Sequence, residues 1–142
     1  MEKLITYLKN KNIEIPGSIN EIVNLFFGAL VSDSVNYWFN KNCDFIDNKE
    51  RFKPFERPDS DLAKKDINYR KIFSKLNNEE KENLKNLIKE SLEGVLFSLF
   101  VKLDQSPIGD WKILLKEGQY EGIANSGTEL HEDLYKWLKI FS

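Results

Sequence analysis

Gly94-Val95-Leu96-Phe97-Ser98-Leu99-Phe100-Val101 closes a helical pattern that begins at Asn78 and reaches Leu103. The first half of that pattern is amphipathic, with Leu84, Leu87, Ile88 and Leu92 recurring at helical spacing. The quoted half is apolar nearly all round, and a helix apolar on every side needs neighbours on every side. The reading therefore places a long central helix inside one domain and expects Leu96 and Leu99 to be shielded from solvent. Asn77 or Asn78 is suited to cap its start, where Glu79, Glu80 and Glu82 meet the positive end of the helix dipole. Gly94 is poor helix material, and a close neighbour would account for it.

Before this helix, residues 2–11 read as a short helix with Leu4, Ile5 and Leu8 on one side. Pro16-Gly17 makes a turn. Ser18 and Glu21 form a capping box, and Ile19, Ile22, Val23, Phe26 and Leu30 continue a helix from 19 to about 40, with a bend expected near Gly28. Residues 42–61 are the least regular part, since Pro54 and Pro58 fix φ and remove amide donors. A third helix, from Ser60 to Leu76, would turn Tyr69, Ile72, Phe73 and Leu76 inward.

After it, Pro107 and Gly109 end the helical half. Residues 111–116 read as a strand, Glu117-Gly118 as a tight turn, and 119–124 as the return strand. A second capping box, Ser126 to Glu129, opens a last helix with Leu130, Leu134, Trp137, Leu138 and Phe141 on one face. The expected fold class is α+β: a mostly helical single domain, residues 1–142, with a long central helix and a C-terminal β-hairpin followed by a helix.

Composition narrows the function classes. The chain has 142 residues, 41% hydrophobic and 13% aromatic, which suits a packed core and not a disordered chain. The net charge of −2 favours neither nucleic acid nor an anionic membrane. No run approaches the ~20 apolar residues of a membrane span, and the N-terminus carries no signal-peptide core. Cys43 is the only cysteine, so no internal disulfide is available, and a cytoplasmic location is expected.

Catalytic and metal signatures are missing. There is no Walker loop, no G-x-G-x-x-G, no nucleophile elbow and no spaced Cys/His set. His131, the only histidine, sits among Glu129, Glu132 and Asp133. It is the one centre on which a small enzyme or a metal-binding protein could be built. The ordinary reading is a surface histidine in a first turn whose acidic residues suit the helix dipole. Cys43, beside Asp44, has no evident group to stabilise a thiolate. Asp59-Ser60-Asp61 lacks the glycine and distal glutamate of a calcium loop and reads as a helix cap. The basic, aromatic stretch 49–57 could stack and pair with nucleic acid, but with a net charge of −2 the ordinary reading is solvated charges around core-anchoring Phe52 and Phe55, and no nucleic-acid partner is expected. No catalytic residue, metal ligand or cofactor is assigned.

Charge distribution is more informative. Residues 104–133 hold seven acidic side chains against Lys112 and Lys116, a net of −5. They flank a hairpin bearing Trp111 and Tyr120, and aromatic anchors ringed by charge suit a protein interface. The partner-binding set read from this pattern is Asp110, Trp111, Glu117, Tyr120, Glu121, Glu129, Glu132 and Asp133.

The run 94–104, the Trp-bearing strand and Leu130-His131-Glu132-Asp133-Leu134-Tyr135-Lys136-Trp137 together resemble a layout in small uncharacterised bacterial proteins, among them immunity-type proteins of polymorphic toxin systems. The resemblance covers about the last third of the chain. It implies a cytosolic inhibitor that binds a toxin, often a basic nuclease, and blocks its active site. The expected function is thus a non-catalytic protein-binding module for a basic partner.

Overall fold

The computed structural model describes residues 1–49 and 60–142. Five helices and one hairpin follow in the order α1 (Glu2–Asn10), α2 (Ile19–Ile46), α3 (Asp61–Phe73), α4 (Asn78–Asp104), β1 (Leu114–Glu117), β2 (Tyr120–Ile123) and α5 (Leu130–Ile140). The fold is α+β, with a long helix, then an antiparallel hairpin, then a C-terminal helix. The expectations for Phe52, Phe55 and Asp59 lie outside the described residues. No helix among the described residues is long and apolar enough to cross a membrane.

The chain divides into two compact units. Unit 1 comprises residues 1–35 and 94–142, and unit 2 residues 36–93. α2 and α4 each contribute residues to both.

Unit 1 holds two apolar clusters. In the first, Leu4 and Leu8 of α1 pack with Ile22, Val23 and Ala29 of α2 and with Ala124 after the hairpin. In the second, Leu130, Leu134 and Trp137 of α5 pack with Phe100 of α4. Trp137 is fully buried. Its ring meets Phe27 edge-on at 5.5 Å and Phe100 at 6.3 Å. Gly28 is the notch that admits it: a Cβ built there would lie 2.2 Å from Trp137 Cδ1. Gly28 thus serves a close approach between helices, where the sequence suggested a bend. Gly94 meets nothing within 4 Å of such a Cβ, so the close neighbour expected there is not found.

In unit 2, Phe45 and Ile46 of α2 and Ala63 of α3 are buried. Phe45 meets Phe73 edge-on at 5.6 Å, and Tyr69 stacks with Phe73. Tyr69 and Ile72 nevertheless remain largely exposed, against the inward placement read from sequence. Lys85 pairs with Asp47 at 2.9 Å and Glu82 at 2.8 Å, and hydrogen bonds to both carboxylates push its pKa up.

The largest departure concerns α4. Val95 is 70% exposed and Leu99 48%, while only Phe100 of this helix is buried. The shielded central helix expected from the sequence is therefore corrected: α4 buries one edge and leaves apolar side chains in solvent. Periodicity cannot report this, because an apolar side chain reads alike with or without a neighbour.

Local signals explain the helix starts. Ser18 Oγ accepts the Glu21 N–H at 3.2 Å, and Ser60 Oγ accepts that of Ala63 at 3.2 Å. Asn77 Oδ1 accepts the Glu80 N–H at 2.9 Å while Glu80 accepts that of Asn77 at 2.8 Å, a reciprocal cap. The hairpin loop is Gly118-Gln119, one residue later than read from sequence, with Gly118 at φ +59°. Trp111 precedes β1 and does not join the ladder. Asn125, buried, fastens the hairpin base: its Nδ2 donates to Trp111 O at 2.8 Å and its Oδ1 accepts the Ile113 N–H at 3.0 Å.

Candidate functional site

Three arrangements in unit 1 carry polar chemistry: a cap around His131, a cleft around Asp133, and the hairpin surface.

The first shows how α5 begins. Its N-cap residue, Glu129, makes no side-chain cap, and Ser126 of the expected capping box accepts instead from Asn20 Nδ2 at 3.1 Å. The cap comes from Asp104, the last residue of α4. Asp104 Oδ1 accepts the Leu130 N–H at 3.0 Å, and Oδ2 accepts the His131 N–H at 2.9 Å and meets His131 Nδ1 at 2.8 Å. Orphan amides at a helix start need such acceptors, and a carboxylate also suits the dipole. Burial would raise the Asp104 pKa, but the His131 amide and ring and the Leu130 amide together hold it below the usual range. The hydrogen bond to Asp104 raises the His131 pKa, aided by the nearby charge of Glu129.

Asp104, Glu129 and His131 offer ligand atoms within 4.8 Å of one another. Two carboxylates thus converge on His131, which sequence spacing could not show for Asp104. Both oxygens of Asp104 are already taken by α5. That leaves His131 Nε2 and Glu129, which meet each other at 3.4 Å, as the remaining ligand atoms of the three. Zinc sites ordinarily use three or four protein ligands, so the geometry describes a helix cap better than a metal centre. Beside it, the Thr128 hydroxyl is engaged as a donor to Asp133. Cys43 lies in unit 2, where burial pushes its thiol above its ordinary pKa.

The cap makes stability depend on pH. A histidine whose folded pKa is raised contributes stability that is full below its unfolded value of about 6.5 and lost as pH rises through the folded value. Stability should therefore hold up to about pH 6.5 and fall as pH rises above it. His131→Gln should flatten that limb in urea titrations at a series of pH values. An undiminished slope in the variant would assign the dependence elsewhere.

The second arrangement is a polar cleft of about 440 Å³ lined by Glu21, Asn24, Ser126, Thr128, Asp133 and Lys136, among others. Asp133 is only 2% exposed. Its Oδ2 accepts from Thr128 Oγ1 at 2.6 Å and Asn24 Nδ2 at 2.8 Å, and Oδ1 from Lys136 Nζ at 3.1 Å. Asn24 also donates to Ala124 O at 2.7 Å and accepts from Trp137 Nε1 at 3.0 Å. A polar network so fully connected fixes α2, the 124–128 loop and α5 together.

The third is the hairpin surface. Trp111 is 53% exposed, and Ile108, Leu114 and Tyr120 are exposed beside it in sequence. Among the acidic residues, Asp110, Glu121, Glu129 and Glu132 are exposed. Glu117 is half-buried and pairs with the Met1 amino group. Asp133 must be withdrawn from the surface set, because its carboxylate is buried in the cleft network. Asp104, counted in the −5 segment, is likewise consumed as a cap. Lys116 and Glu121, cross-strand partners, approach to 4.0 Å.

Compared with known proteins, the chain matches no family model, no curated protein and no solved structure.

Proposed function

We propose that this chain is a non-catalytic protein-binding module of the immunity type, working in a reducing compartment such as the bacterial cytoplasm, whose hairpin surface engages a basic toxin. The observation that carries the reading is the exposure of Trp111, Tyr120, Leu114 and Ile108 on and beside a short hairpin with exposed Asp110 and Glu121. Large aromatic and aliphatic groups held in water next to charge are the usual anchors of a protein interface. Exposed carboxylates would steer a cationic partner and speed its arrival.

The test is capture of the partner from native extract, followed by stopped-flow association. Raising salt should slow association, because exposed charges are screened beyond about 8 Å near physiological ionic strength. Reversing Asp110 and Glu121 to Lys should lower the on-rate about tenfold at low salt and change the off-rate less. Salt-independent rates, unaffected by both reversals, would leave the hairpin as ordinary surface. A second reading, a metal or acid–base centre at His131, is favoured only by the convergence of Asp104 and Glu129 on that ring. Stoichiometric zinc in the purified protein, lost in His131→Ala, would favour it over protein binding.

A further inference from the structure

We propose that the cleft of unit 1 is the seat of an arginine side chain supplied by the basic partner, a refinement that rests on the protein-binding reading. The two oxygens of Asp133 are unequally held. Oδ2 is fixed by Asn24 and Thr128, both part of the frame. Among the described residues Oδ1 meets only Lys136 Nζ, at 3.1 Å, on a side chain that is 65% exposed. The ammonium end of this pair stands in solvent, where another cation can take its place without leaving the buried carboxylate unpaired. The buried carboxylate thus keeps one oxygen open to exchange in a cavity of about 440 Å³, within the ~300–1,000 Å³ usual for ligand pockets.

The remaining lining suits a cation. Glu21 also faces the cleft, and among the described residues its carboxylate has no partner. With Lys136 the only cation among the lining residues, Glu21 and Asp133 leave them at net −1. Ser126 Oγ, which accepts from Asn20, lines the same cavity. Guanidinium presents five donors in a planar fork and can serve two separate carboxylates at once, whereas an ammonium acts as a point charge. An incoming arginine would displace the Lys136 ammonium from Asp133 Oδ1 and reach Glu21 with its other edge.

The experiment is a titration of the ¹⁵N-labelled protein with N-acetyl-arginine methylamide, followed by NMR. Saturable shifts are expected at the Ser126 and Thr128 amides and the Asn24 side-chain amide, with a millimolar Kd. The neutral isostere N-acetyl-citrulline methylamide and the lysine analogue should each bind roughly tenfold more weakly. Glu21→Gln, an exposed substitution, should weaken the arginine probe, and Lys136→Met should tighten it by removing the competitor. Non-saturating shifts, equal binding of citrulline or lysine analogues, or weaker binding in Lys136→Met would overturn the assignment. The titration needs no protein partner. It can therefore fail while the hairpin still binds, and the hairpin variants can fail while the probe still saturates the cleft.

Discussion

Trp137→Ala should cost about 3–5 kcal/mol of stability, the range for removing a buried large aromatic residue. The indole is fully buried, and its Nε1–H is donated to Asn24 Oδ1 at 3.0 Å. Its removal empties the centre of the cluster formed with Phe100, Leu130 and Leu134. It also leaves Asn24 short of a donor within the network that holds Asp133. Trp137→Phe should cost less, because it retains ring contact while losing only that hydrogen bond and some volume. Urea unfolding of the three proteins at constant pH measures the order. A loss below about 1 kcal/mol in Trp137→Ala would mean that α5 does not anchor unit 1.

Gly28→Ala should destabilise by at least about 2 kcal/mol, although alanine is the better helix former. A Cβ there falls 2.2–2.6 Å from three atoms of the indole ring, well inside contact distance. The ring is confined by Phe27 and Phe100 and cannot step aside freely. Overpacking typically costs about 1–3 kcal/mol and occasionally more, and a clash this close to a confined ring belongs at the upper end, against roughly 1 kcal/mol gained from helix propensity. Gly94→Ala is the matched control: it is exposed, meets nothing, and should gain about 1 kcal/mol. Opposite signs for two identical substitutions in two long helices would isolate the contact. In a double-mutant cycle, Gly28→Ala should lose most of its cost once Trp137 is alanine. Additive losses would place the strain elsewhere.

The order of elements was legible because each carries its own periodicity, cap or turn residue. Ser18, Ser60 and Asn77 announce helix starts, Gly118 the hairpin turn, and Leu130, Leu134 and Trp137 the inner face of α5. What escaped the sequence is set by partners far along the chain. Asp104 reads as an ordinary acidic residue at a helix end, yet it caps a different helix. Asp133 reads as a surface charge in a first turn, yet Asn24 and Thr128 supply the hydrogen bonds that make its burial tolerable. The apolar side of α4 misled in the opposite direction, since hydrophobicity reports what a side chain prefers and not what surrounds it. For the candidate sites, the exposed Trp111 and Tyr120 were legible as a pair, while the cleft was not, because its walls come from α2, the 124–128 loop and α5.

The three tryptophans also equip the chain with its own optical reporters. Trp137 sits in an apolar cage, while Trp111 and Trp38 are about half in water. Blue-shifted emission shielded from iodide should come from the first, and red-shifted, quenchable emission from the other two. Trp38→Phe would leave one shielded and one open fluorophore. The shielded signal would then follow unfolding, and the open one would report on the surroundings of Trp111, in a single unlabelled sample.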